Sequence, residues 1–421
     1  KNDFAPRVGL AWDPFGKGRT SVRLGYGIYH EQVLNGTMLQ NIGTNPPYQV
    51  TATVSVATRL DAPAAGVASS AGVQSLRAIQ TDWKTPYMQH WSLDMQHQLD
   101  NKTILTIGYF GSKGTNLIGV TEINSIRPGV ARGSNCAVGA AYYAQTPAPV
   151  LVNCQPAGYV FRNTGVAPEN PNGTNTDLLI LDQIRPFKGF RSIAMIQPRY
   201  NSNYHSMQIS AQRRFTGASQ INFAYTWSKN LTDNQTDRST APQDSYNIPA
   251  EKGRATLDRR HVFNFNYVYE LPFYDKQNGL VGKLLGGWQL SGIFTWQTGL
   301  PFTVITSNFD PAGSGIINAN PTARPNVWCD PNASAPHTQA QYFNTGCFAA
   351  NPANTLNTRL AGYQNVFGNS GRGIIEGPGT RRIDLTVSKN IRFGESFRIQ
   401  LRAETFNVLN TTNFRGFTSL N

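Results

Sequence analysis

The segment Tyr204 to Lys229, YHSMQISAQRRFTGASQINFAYTWSK, constrains the fold more than any other stretch of the chain. In its first half Met207, Ile209 and Ala211 share one parity, and Ser206, Gln208, Ser210 and Gln212 share the other. In its second half Ile221, Phe223, Tyr225 and Trp227 alternate with Asn222, Ala224, Thr226 and Ser228. Side chains alternate across a strand, so each half reads as an extended segment with one apolar and one polar face. A tight turn at Thr216-Gly217-Ala218 joins them as a hairpin. Each arm is about ten residues long, which is what a tilted strand needs to cross a bilayer. The apolar face ends in Tyr225 and Trp227, the residue types that settle where lipid meets water. Strands of a soluble sandwich bury small aliphatics against each other, whereas these faces carry bulky rings near the strand ends. The hairpin predicts a membrane-spanning β-barrel.

The same build recurs along the chain. Val8, Leu10 and Trp12 alternate with Arg7, Gly9 and Ala11; the turn at 13–18 follows, then Val22, Leu24, Tyr26 and Ile28 against Ser21, Arg23, Gly25 and Gly27. A long connection from His30 to about Lys84 leads to Tyr87, Gln89, Trp91, Leu93 and Met95, alternating with His90, Ser92, Asp94 and Gln96. After Asp100-Asn101-Lys102 come Leu105, Ile107 and Tyr109, then a longer connection from about Gly111 to Asn203. Beyond the opening hairpin and a polar stretch at 230–259, Phe263, Phe265, Tyr267 and Tyr269 form one apolar face. Past a short link through Pro272 and Gly279, Trp288, Leu290, Phe294 and Trp296 form the next. The connection from Leu300 to Thr380 precedes a last hairpin, Ile383, Leu385 and Val387 and then Phe397, Ile399, Leu401 and Ala403.

About ten strands result, with connections that alternate short and long. Soluble domains seldom carry loops beyond about fifteen residues, whereas outer-membrane barrels pair short periplasmic turns with long extracellular loops. The predicted fold class is all-β: a transmembrane antiparallel β-barrel fragment with long extracellular loops. Lipid should face the apolar parity, because an Arg near the bilayer midplane costs about 2–4 kcal/mol. Arg23, Asp94, Arg398, Arg402 and Glu404 fall on the other parity and are predicted to face the lumen.

Composition agrees with this reading and excludes others. Charged residues make up 14% of the 421, against roughly a quarter in a typical soluble domain. The net charge of +13 comes from basic residues scattered singly or in pairs, so no run forms a phosphate-binding patch and no nucleic-acid partner is expected. No stretch of roughly eighteen apolar residues is present, so no transmembrane helix is predicted.

Cys136 and Cys154 fall in one predicted loop, and Cys329 and Cys347 in another, with equal spacing within each pair. Four cysteines permit three connectivities. Two local pairings are predicted, since each closes a short loop and paired thiols suit an oxidising exterior. Catalytic and metal chemistry are not signalled. The six histidines provide no HExxH and no zinc-ligand spacing. Gly111-Ser112-Lys113-Gly114 lacks the preceding glycine and the following helix of a P-loop. No cofactor is expected. A hydrolase would need a nucleophile and a base converging at the loop mouth, for which Asp258 and His261 are the nearest candidates.

The ordered set FAPRVGLAWDPFGKGRTSVRLGYGIYH, TPYMQHWSLDMQHQL, TILTIGYFGSKGTNL, AEKGRATLDRRHVFNFNYVYELPF, GGWQLSGIFTWQTGLPF and RRIDLTVSKNIRFGESFRIQLRAETFNVLNTTNF resembles the barrel of TonB-dependent receptors of the Oar-like group. The resemblance covers every predicted strand and fades in the long loops. It implies an outer-membrane transporter with a barrel of about twenty-two strands, plugged by an N-terminal domain and energised by a TonB-type protein. The implied partners are outer-membrane lipid, that energy-coupling protein and a bulky solute. Residues 1–421 are then expected to be the C-terminal portion of the barrel, with the plug domain and the closing strand absent. The competing expectation is a surface adhesin or structural barrel that performs no transport.

Overall fold

The computed structural model describes residues 3–32, 74–126, 185–235, 241–305, 323–349, 367–393 and 397–414, with isolated positions between them. Ten strands follow one another in sequence order across a single antiparallel path. They are β1 (Arg7–Trp12), β2 (Thr20–His30), β3 (Tyr87–Asp100), β4 (Thr103–Glu122) and β5 (Phe190–Arg214). The path continues through β6 (Gln220–Thr232), β7 (His261–Glu270), β8 (Trp288–Gln297), β9 (Thr380–Phe393) and β10 (Phe397–Thr405). Each strand pairs with its neighbour in sequence, the meander that alternating short and long connections require.

The registers carry one apolar surface across the whole path. Leu24 lies opposite both Leu10 and Leu93, and Leu93 opposite Tyr109. Tyr109 faces Met207, which faces Trp227. Further along, Phe265 sits between Phe223 and Phe294, and Phe294 opposite Ile383. The register shifts only near strand ends, between Gln98 and Asp100 and around Leu117, so along the shared length of the wall the apolar set stays on one face. These side chains are solvent-accessible rather than packed in a core: Leu10 is 60% exposed, Leu93 49% and Leu401 59%. Among the described residues the buried hydrophobic cluster lies elsewhere. It comprises Val120, Ile196 and Ala241, packed by Trp83, Ile118 and Ala194.

Rings border this surface at both ends. Toward the long connections stand Trp91, Tyr109, Tyr225, Trp227 and Trp296, with His205 and His261 among them. Tyr109 Oη shares a 2.7 Å hydrogen bond with His205 Nδ1, and Tyr225 Oη a 2.8 Å bond with His261 Nδ1. Toward the short turns stand Trp12, Tyr269, Trp288 and Phe397. Trp288 and Trp296 are eight residues apart on β8, about 27 Å along the strand and about 20 Å along the normal at a ~40° tilt. That suits the ~25 Å apolar band of an outer-membrane barrel. Two glycines show how tightly the sheet is specified. Gly217 takes φ +69° in the turn between β5 and β6, a conformation that favours glycine. A Cβ on Gly111 would lie 2.3 Å from the Trp91 indole, which occupies the space across the strand pair.

Several boundaries differ from the sequence expectation. β4 and β5 are 20 and 25 residues long, so the connection expected at 111–203 is strand at both its ends. β3 pairs with β4 only as far as Thr115, and the remainder of β4 continues with β5 alone. The register shifts between Gly114 and Leu117 and again before Ile118, and these interrupt the period-two pattern that would have revealed the extension. A short strand at Gln74–Ile79, inside the expected connection after His30, pairs in parallel with β5. His97 lies within β3, near its short-turn end, and its Nδ1 shares a 2.8 Å hydrogen bond with Thr20 Oγ1. The link after Leu271 contains a seven-residue helix, α1 (Gly279–Leu285).

The faces can be tested on one strand. Ile209 lies opposite Ile107 and Tyr225, whereas Gln208 lies opposite Gly108 and Thr226. Ile209→Arg should cost about 2–4 kcal/mol in the bilayer and deplete the heat-modifiable folded band on semi-native gels. Gln208→Arg should leave that band within the scatter of the parent protein.

Candidate functional site: the tied loops at one end of the wall

At the end of the sheet that carries the long connections, the described loops converge on buried charges. Glu251 sits in a single 3-10 turn, Ile248–Glu251, and is 0% exposed. Its carboxylate accepts from Arg324 Nη1 at 3.1 and 3.0 Å and also pairs with Arg372 Nε. The Gln243 backbone N–H donates to Glu251 Oε1 at 3.0 Å. The Gln243 amide extends the network, accepting from Arg324 N at 2.7 Å and donating to Gly368 O at 3.1 Å. Arg324 Nε donates to Ser370 O at 2.6 Å. Three segments, around residues 241–252, 323–325 and 367–373, the last two within the one connection from β8 to β9, are thus tied to one carboxylate.

A second cluster binds this knot to the wall. Asp258 is 1% exposed; it accepts from the Asn230 backbone N–H at 2.6 Å and from Arg254 Nε at 2.6 Å. Arg254 also lies 3.6 Å from Glu376, and Arg260 lies 4.0 Å from Asp258. Gly253–Arg254 adds to β6 at Leu231 and Thr232. Burying these charges is tolerable because each carboxylate is matched by guanidinium and backbone donors.

The projecting ends of β4 and β5 carry a third polar centre. Glu122 is 2% exposed; its Oε1 accepts from Asn124 N at 2.9 Å and Ile193 N at 2.7 Å, and its Oε2 pairs with Ser192 Oγ. Asn124 Nδ2 donates to the carbonyls of Phe187, Phe190 and Arg191. Tyr246 Oη donates to Ser125 O at 2.8 Å, joining this centre to the loop that holds Glu251. Just past the end of β6, burial raises the Asp233 carboxyl above its ordinary value, against the lowering effect of the Asn201 backbone N–H and side chain bonded to it.

The residues picked from sequence are placed as follows. Arg23, Asp94, Arg398, Arg402 and Glu404 all lie on the parity opposite the apolar surface. Arg23 is directly across from Asp94 and donates to Gln96 Oε1 at 3.2 Å; Arg402 pairs with Glu404. The structure does not gather the five, since β2–β3 and β10 stand near opposite ends of the strand path. Cys329 is disulfide-bonded to Cys347, while Cys136 and Cys154 lie outside the described residues. Asp258 and His261 do not form a catalytic pair: the Asp258 oxygens are taken by Asn230 and Arg254, and His261 Nδ1 by Tyr225. No group of three metal-ligating side chains occurs among the described residues. Sequence reasoning missed Glu251, Arg324, Arg372, Glu122 and Asn124. Most of their partners lie about sixty or more residues away, so no local spacing marks them.

Comparison with known proteins follows the same architecture. A family model described as "Outer membrane beta barrel domain" matches residues 1–420. No curated protein matches. Among solved structures, the outer membrane transporter YddB from Escherichia coli matches at 11% identity and TM-score 0.48, covering 97% of this chain and 37% of that one. The ferric-catecholate import receptor Fiu from E. coli matches at 10% identity and TM-score 0.38, covering 97% and 31%. The FrpB iron transporter from Neisseria meningitidis matches at 9% identity and TM-score 0.39, covering 97% and 35%. The chain therefore spans about a third of the length of these structures.

The knot's contribution is measurable. Glu251→Ala strands two buried guanidiniums, a change that typically costs 3–5 kcal/mol. Limited proteolysis should then cut near residues 241–252 and 367–373 while the strand path stays protected. Unchanged loop cleavage would mean that the carboxylate does not hold these segments.

Proposed function

From the premise that this chain belongs to the outer membrane beta-barrel domain family, we propose that it forms the wall and outer mouth of a TonB-dependent transporter. The outer membrane is where such a domain resides. One physical observation supports the reading beyond membership. A wall with a continuous apolar surface carries polar and charged side chains on its other face, and it runs at one end into loops held by buried ion pairs. In this reading the apolar surface meets lipid, and Arg23, Asp94, Arg398, Arg402 and Glu404 line a hydrated lumen.

The tied loops are the capture element. Binding residues sit disproportionately on loops that a rigid scaffold positions, and the Glu251 and Asp258 clusters supply that rigidity. A bulky solute is first held at the mouth and then moved through the barrel. The energy comes from a TonB-type protein acting on a plug, and both the plug and the TonB-contacting segment lie outside residues 1–421 in this reading. No covalent step is assigned: the protein is a transporter and not an enzyme, with no bound cofactor. Asn, Thr, Tyr and Trp side chains in the loops, among them Asn326, Trp328, Thr338 and Tyr342, suit saccharide or peptide ligands.

Deletion of the gene should abolish uptake of at least one oligosaccharide or peptide too bulky for diffusion pores. An uncoupler that collapses the inner-membrane proton gradient should abolish the same uptake in the parent strain. Uptake that survives both, with surface attachment lost on deletion, would replace the transporter with an adhesin.

A further inference from the structure

The short link between β7 and β8 holds a feature that the transport reading does not use. Leu271 N donates to Trp288 O at 2.9 Å and closes the link at its base. Within it, α1 presents Leu280 and Leu284 as one i, i+4 pair and Val281 and Leu285 as another. These side chains are 87%, 68%, 59% and 48% exposed, in the order Leu280, Leu284, Val281, Leu285. Phe273 and Tyr274, just upstream, are exposed too. A seven-residue helix with a bare aliphatic stripe has no stability of its own in water.

The helix is nevertheless bolted in place, and its fastenings fix the side of the wall on which it lies. Trp288 Nε1 donates to Leu284 O at 3.2 Å, and Lys389 Nζ donates to the same carbonyl at 3.0 Å. Lys389 Nζ also donates to Gly286 O. Lys283 Nζ stands 4.6 Å from the centre of the Phe393 ring. Trp288, Lys389 and Phe393 all belong to the apolar parity: Trp288 faces Lys389, Lys389 faces Leu401, and Phe393 faces Phe397. Gln277 secures the other side of the link, donating to Asn390 O at 2.7 Å and accepting from Arg392 N at 2.9 Å. α1 therefore continues the lipid-facing surface past the start of β8, alongside the last residues of β9, and does not enter the lumen.

Lys389 reinforces this assignment. A lysine in the apolar set is costly if its ammonium meets hydrocarbon. Here the last carbonyls of α1 receive the ammonium, and Lys389 is 5% exposed. The helix thus shields a charge on the wall while turning its own aliphatic stripe away from it.

We propose that α1 is an interfacial anchor, seated in the phospholipid leaflet on the short-turn side with Leu280, Val281, Leu284 and Leu285 among the upper acyl carbons. The occupant follows from continuity, because the stripe adjoins a surface that already faces lipid, with Trp288, Phe393 and Phe397 at its border. Amphipathic helices bury an apolar face in this way at the headgroup boundary. The assignment rests on the barrel wall and is independent of what the barrel transports.

Spin labels placed singly by Leu280→Cys, Leu284→Cys and Lys276→Cys in the full-length protein, reconstituted in phosphatidylethanolamine–phosphatidylglycerol vesicles, test it, with labelled parent protein as the blank. At positions 280 and 284, collisions with oxygen should exceed those with a water-soluble nickel chelate, and position 276 should show the reverse. Nickel-dominated relaxation at 280 and 284 would place the stripe in water and overturn the proposal. So would labels there that are immobile and closed to both reagents, since a protein surface would then cover the helix.

Discussion

Hydrocarbon offers no partner to a backbone N–H or C=O, and the rest of this architecture depends on that constraint. A strand can cross a bilayer only if both of its edges are paired, so the wall must be a continuous lateral ladder. The ten-strand path pairs both edges of β2 through β9 in sequence order, and β1 and β10 are each paired along one edge. Once the ladder is fixed, the pleat decides everything else about the wall. Every second residue must be compatible with lipid, and its neighbour is free to be polar. Arg23 opposite Asp94, and Arg402 beside Glu404, are affordable only because they occupy the free parity.

Outside the lipid the constraint reverses. Beyond the ends of β6 and β7, water is available, and charge rather than ring packing organises the chain. Glu251 collects donors from the β6–β7 and β8–β9 connections, Asp258 collects them from Arg254 and the Asn230 backbone of β6, and the small apolar cluster of Val120, Ile196 and Ala241 sits in the same region. The protein thus places its dry core and its buried ions together at this end, on the projecting strands and the loops beside them, while the membrane stands in for a core along the wall.

The wall was legible in the sequence because period-two alternation is a local signal that each strand carries in full. Phe263 to Tyr269 and Trp288 to Trp296 announce their faces without reference to any other residue. The extensions of β4 and β5 were not legible, because the register shifts near Leu117 break the alternation and Gly114-Thr115-Asn116 resembles a turn. α1 was hidden for another reason: at seven residues it shows too little periodicity to separate helix from link. The Glu251 knot was out of reach altogether, since Arg372 lies 121 residues away. Its members look like isolated loop charges until the fold brings them together. For the candidate site, the parity of the wall charges could be read in advance, but the ties among the loops could not.

That separation in sequence has a temporal consequence. Strands joined by short turns meet over few residues, whereas β4 with β5 and β8 with β9 meet across long connections, and the ties to Glu251 close intervals of 73 and 121 residues. Closing intervals of this size is entropically disfavoured until other contacts have drawn their ends together. Between Glu251 and Arg372, β7, β8 and the intervening chain must already be in register. The Glu251–Arg372 tie spans more chain than any strand pair of the wall, so its closure costs least once β7, β8 and β9 have drawn its two ends together.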